Sequence, residues 1–124
     1  MPRPILASSQ VHPAVRERIA QLHADVLAEV REAIAQHAVV VVGMFANPFV
    51  LRARAELRRA GIAHHYIGYG GYLSQWRRRN ALKMWTGWPT FPMVFVRGVL
   101  IGGAQDLTAL RRSGELQRML DSAG

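Results

Sequence analysis

The chain has 124 residues, 50% of them apolar and 19% charged, which suits one domain with its own core and argues against intrinsic disorder. It contains no cysteine, which excludes disulfides, thiolate metal sites, protein-ligated iron–sulfur clusters and a cysteine nucleophile. The net charge of +8 comes almost wholly from arginine, with Lys83 the only lysine, and favours anionic partners.

From Pro13 to Gln36 the apolar residues Val15, Ile19, Leu22, Val26, Val30 and Ile34 recur at steps of three and four, which predicts one long amphipathic helix. Val39 to Val42 are four β-branched residues without polar alternation, as expected of a strand buried on both faces of a sheet. Asn47-Pro48 is a helix-start signal, because Asn caps free N–H groups and Pro at the first helical position has none to satisfy. The helix it opens stops at Gly61, and residues 62–67 read as a second strand, parallel to the first.

Beyond the Gly68-Tyr69-Gly70-Gly71 loop, Leu73 to Trp85 reads as a further helix. Trp88-Pro89-Thr90-Phe91-Pro92 cannot be helical, since each Pro forces its predecessor into an extended conformation. Met93–Val96 and Val99–Ile101 flank Arg97-Gly98 as a hairpin. Asp106 to Leu120 reads as helix, with a break at Ser113-Gly114. The order helix, β, α, β, α, β, β, α predicts an α/β domain spanning 1–124. It comprises an arm over 1–12, a helix over 13–37 and a core over 39–120, with a four-stranded mixed sheet flanked by helices.

That order is the thioredoxin-like fold with an extra N-terminal helix. Trp88-Pro89-Thr90-Phe91-Pro92, a hairpin, and Gly102-Gly103-Ala104-Gln105-Asp106 together resemble the glutaredoxin family. Arg79-Asn80-Ala81-Leu82-Lys83 ahead of them resembles its monothiol branch. The resemblance implies a cis Pro92 and glutathione or a related thiol peptide as ligand. It implies that Arg79 and Lys83 meet the glycyl carboxylate, that Thr90, Phe91 and Pro92 pair with the peptide, and that Gly103, Gln105 and Asp106 hold the γ-glutamyl end. Helical spacing of four puts Arg79 and Lys83 on one face, and an Asp at a helix N-terminus can meet an ammonium group.

The departure lies at the nucleophile. Where the family has Cys-Pro-Tyr-Cys or Cys-Gly-Phe-Ser, this chain has Asn47-Pro48-Phe49-Val50, and the lysine often found just before is absent from Gly43-Met44-Phe45-Ala46. Thiol–disulfide exchange by the chain's own side chains is therefore excluded, and neither a metal nor an iron–sulfur cluster is expected. Asn47 acts as a helix cap, or beyond that as a donor to the sulfur of bound glutathione.

Three functions follow: a glutathione-binding or regulatory module, a glutathione-dependent transferase- or isomerase-like enzyme using the ligand's thiolate at Asn47, or an interaction scaffold that meets an acidic protein. Nucleic acid is disfavoured, because Arg52, Arg54, Arg58 and Arg59 lie along one helix without a recognised motif. Trp76, Trp85 and Trp88 read as packing residues, and His64 and His65 point to opposite sides of a strand, which does not suit one metal. No apolar run reaches the ~18 residues of a membrane span, and the start lacks a long apolar signal core, so a cytoplasmic protein is expected.

Overall fold

The structure is a computed structural model that describes residues 3–70 and 75–121. Four strands form one sheet in the order β2-β1-β3-β4. Strand β1 (Val39–Gly43) lies parallel to β2 (His65–Gly68) and antiparallel to β3 (Met93–Val96), which in turn pairs antiparallel with β4 (Val99–Gly102). The mixed sheet predicted from the sequence is thus present, with β1 at its centre and buried throughout. The β3–β4 turn has Arg97 and Gly98 both at positive φ, the geometry whose twist matches a two-residue hairpin.

Period-two alternation along β1 and β3 divides the core into two layers. Val40, Val42, Met93 and Phe95 pack with Val26, Val30 and Ala33 of helix α2 (Ala24–Gln36) and Leu82 of α4 (Trp76–Thr86). On the other face, Val39, Val41, Val94 and Val96 pack with Ala53 and Leu57 of α3 (Pro48–Arg59), Leu107 of α5 (Ala104–Ser113) and Leu116 of α6 (Glu115–Asp121). The last two helices part at Gly114, whose φ of 82° ends α5 at the predicted break.

The single front helix expected over 13–37 is two helices. Helix α1 (Pro13–Gln21) ends before Leu22, and His23 adopts a left-handed φ of 47° ahead of α2. No Gly or Pro marks this break, and His is one of the residues that tolerates the conformation. The consequence is a change of role along one apolar stripe: Val26 and Val30 are core, whereas Val15, Ile19 and Leu22 are exposed. Helix α1 buries none of its residues.

Smaller departures have equally local causes. The second strand begins at His65 rather than residue 62, because its pairing starts opposite Val40, near the beginning of β1. Helix α5 begins at Ala104, two residues ahead of Asp106. The expected start of a helix at Leu73 lies outside the described residues, and α4 is helical from Trp76.

Candidate functional site

The end of the sheet where β1 and β3 meet α3 and α5 carries a groove of about 290 Å³. Thr90, Phe91 and Pro92 form one wall, and Gly103, Gln105 and Asp106 the other. The sequence reading missed further contributors: Phe49 from the first turn of α3, Trp88 and Ala104 also line it. Only their position beside the Asn47-Pro48, Thr90-Phe91-Pro92 and Gly-Gly segments could have flagged them.

The Phe91–Pro92 peptide bond is cis. Pairing of β3 with β1 begins at Met93 opposite Val42, so the backbone of Thr90 and Phe91 lies outside the ladder. Backbone left outside a ladder can pair with an extended peptide. A Cβ at Gly103 would stand in ordinary contact with the carbonyl oxygen of Pro92, at 3.5 Å, so the two walls adjoin there. Nearby, the Trp88 indole N–H is buried and has no hydrogen-bond partner among the described residues. An orphaned donor of this kind costs about 1–3 kcal/mol unless an acceptor reaches it.

Asp106 caps α5. Its Oδ2 accepts from the Gly103 N–H at 2.9 Å, which leaves Oδ1 for a second partner. The N–H groups of Ala104 and Gln105, in the first turn, have no carbonyl within the helix to receive them. A carboxylate acceptor beside free N–H donors is the pattern that receives an amino-acid end group, one part ammonium and one part carboxylate.

The two predicted cations are not placed alike. Arg79 is only 6% exposed, and its Nη1 donates to the Tyr69 carbonyl at 2.8 Å, so its guanidinium ties α4 to the end of β2. Lys83 is half-buried, and its Nζ lies 5.8 Å from the centre of the Phe91 ring, on the residue that lines the groove. Neither cation lines the groove itself. Tyr69, which Arg79 holds by its carbonyl, donates its hydroxyl to Glu29. Burial and that hydrogen bond push the phenol's pKa up.

Asn47, at the start of α3, is 8% exposed. Its Oδ1 accepts from the Phe49 N–H at 2.9 Å and the Val50 N–H at 3.1 Å. The Leu51 N–H donates to the Asn47 carbonyl at 3.1 Å, and Pro48 has no N–H. Every donor of the first turn of α3 is therefore absent or taken by Asn47. A thiolate at this helix end would find the backbone N–H groups of the first turn taken, and the Asn47 amide nitrogen is the donor that the cap leaves over.

The tryptophans divide between roles. Trp85 packs against Phe95 with ring centres 6.5 Å apart, Trp88 lines the groove, and Trp76 is exposed with Arg77 over its ring rather than packed at a helix–sheet junction. His65 stacks on His37, whereas the Nε2 of His64 accepts from Arg54, so the adjacent histidines go separate ways. Burial, then the nearby Arg54 charge, lowers the pKa of His64.

Four arginines line a second cleft, of about 310 Å³, between α3 and α5. Arg52, Arg59, Arg111 and Arg112 surround Glu56 there. Glu56 accepts from Thr108 and from the Arg111 Nε at 2.7 Å. Burial raises its pKa, but these hydrogen bonds and the charges of Arg111 and Arg112 outweigh it and hold the carboxyl below its ordinary value.

No family model matches the chain. A glutaredoxin-like protein of Dictyostelium discoideum is 46% identical over 94 residues, 76% of either chain. The crystal structure of wheat glutaredoxin is 31% identical with a TM-score of 0.70, over 82% of this chain and 94% of that one. A buckwheat glutaredoxin–glutathione complex shares the fold at 24% identity and a TM-score of 0.72, over 82% of this chain and 92% of that one. The fold is thioredoxin-like, and with that likeness over three-quarters of its length the chain belongs to the glutaredoxin family, as a member without cysteine.

Proposed function

We propose that this chain binds glutathione or a related thiol peptide in the groove between the Thr90-Phe91-Pro92 segment and the start of α5, and acts as a binding or regulatory module. The observation that carries the reading is the meeting of two separate segments on one groove, Thr90, Phe91 and Pro92 with Gly103, Gln105 and Asp106. The extended backbone of Thr90 and Phe91 suits a short peptide, and the Asp106 carboxylate beside free N–H groups suits its α-amino-acid end. A fold neighbour, buckwheat glutaredoxin, has been solved as a glutathione complex, which supports the choice of ligand. Lys83 supplies a positive charge 5.8 Å from the centre of the Phe91 ring, whereas Arg79 donates to the Tyr69 carbonyl.

Amide shifts in NMR spectra test this reading. Millimolar glutathione should move the resonances of Thr90, Gly103 and Asp106, and unmoved resonances at all three refute it.

A second reading rests on the cleft between α3 and α5, where four arginines face a single carboxylate and would receive an acidic protein. Loss of partner capture on Arg52→Glu/Arg112→Glu, with the groove residues intact, would support it. Capture unchanged by that pair of substitutions refutes it.

A further inference from the structure

We infer that the groove selects glutathione derivatives whose sulfur carries an apolar substituent, thioethers in place of the free thiol or thiolate. This rests on the glutathione reading above and specifies the chemical state of the sulfur. Phe49 belongs to the first turn of α3 and lines the same groove as Thr90 and Asp106, so a peptide held by those two residues lies within reach of the Phe49 ring at the start of α3.

What the sulfur meets there is set by Asn47. The Phe49 and Val50 N–H groups donate to Oδ1, Leu51 donates to the Asn47 carbonyl, and Pro48 has no donor. An anionic sulfur gains nothing from backbone donors that Asn47 has already taken. The amide nitrogen of Asn47 has no hydrogen-bond partner among the described residues, and it is a neutral donor. Sulfur in a thiol or a thioether is only a weak acceptor, so that nitrogen does not discriminate between them.

Apolar contact does discriminate. Phe49 is 48% exposed, and Phe45, two residues before Asn47, is 77% exposed. Phe49 stands in a groove whose other aromatic walls are Trp88 and Phe91. An alkyl group on the sulfur removes apolar surface on both molecules from water, a gain the free thiol cannot match. Two cations stand against this surface: the Arg52 guanidinium lies 6.0 Å from the centre of the Phe49 ring, and Lys83 Nζ lies 5.8 Å from that of Phe91. If these cations rather than the apolar walls ruled the site, an anionic sulfur group would be the favoured one.

Isothermal titration of the full chain with four ligands decides the matter: glutathione, S-methylglutathione, S-hexylglutathione and glutathione sulfonate. S-Hexylglutathione should bind at least tenfold tighter than glutathione, about 1.4 kcal/mol, and the sulfonate should bind weakest. Phe49→Ala should reduce the hexyl advantage to less than threefold. Asn47→Gly, which frees the two N–H donors, should improve sulfonate binding at least tenfold.

Glutathione or the sulfonate binding as tightly as S-hexylglutathione overturns this inference and leaves the glutathione reading standing. S-Hexylcysteine binding as tightly as S-hexylglutathione also overturns it, since the chain alone would then be the ligand. Binding by none of the four at millimolar concentration overturns the glutathione reading and this inference together.

Discussion

Replacing Asn47 tests what holds the start of α3. Its Oδ1 takes the N–H groups of Phe49 and Val50 at 2.9 and 3.1 Å, and the Val50 bond is buried. Water can reach the half-exposed Phe49 amide if the cap is removed, but an alanine methyl would leave the Val50 N–H without an acceptor. Loss of an Asn cap to Ala typically costs ~1 kcal/mol, up to about 2. The buried Val50 donor puts this site in the upper half, about 1–2 kcal/mol. For a chain of 124 residues, each kcal/mol moves Tm by roughly 4 °C, so Asn47→Ala should melt about 4–8 °C lower.

Asn47→Asp keeps the acceptor and adds a charge favoured at a helix N-terminus, so it should match or exceed the parent. Asn47→Gly should lose only a few tenths of a kcal/mol, because a glycine leaves room for water. Differential scanning calorimetry of the four proteins reads the order. An alanine variant as stable as the parent, or a glycine variant as unstable as the alanine one, would refute the claim that this oxygen holds the helix start.

Asn47→Cys places the protein's only thiol over the same donors, and it should titrate at or below about pH 7; the pH dependence of its alkylation rate measures this. Arg79→Ala should lower stability by about 1–3 kcal/mol in urea melts, because it orphans the Tyr69 carbonyl at the end of β2; a ligand-only role would leave the melt unchanged. His64 is held below its ordinary pKa, first by burial and then by Arg54, so the unfolded chain binds more protons as pH falls below about 6.5. His64 therefore contributes a loss of stability as pH is lowered from above 6.5 through the folded value. In thermal melts, His64→Gln should make the decline of Tm from pH 7 to pH 5 shallower. Glu56→Gln should cost about 1–2 kcal/mol at pH 7, and the cost should shrink as acid titrates the parent's depressed carboxylate, below the ordinary carboxylate range.

The strands and most helix ends were legible because local chemistry alone specifies them. Four consecutive valines demand burial on both sides, Asn47-Pro48 opens a helix, and Gly114 closes one. The kink at His23 was not legible, since the apolar stripe runs through it unbroken and only packing against the sheet decides where the stripe leaves the core. The groove walls were readable as motifs, but their chemistry was not. Spacing on α4 put Arg79 and Lys83 on one face, yet spacing cannot say that the Tyr69 carbonyl captures one of them. Phe49 and Trp88 read as ordinary aromatics until the fold brought α3 and the loop before β3 to the same groove.

The exposed first helix has its own bearing on how the molecule survives in solution. Across a shallow cleft, Ile5, Ile19 and Leu22 face Leu27, Met84 and Trp85, and Arg3 donates to the Met84 carbonyl. A shortened protein starting at Leu22 would keep every buried side chain of both layers and should still fold. It would also bare a greasy flank of α4, and its cost would show in clumping at high concentration before it showed in melting.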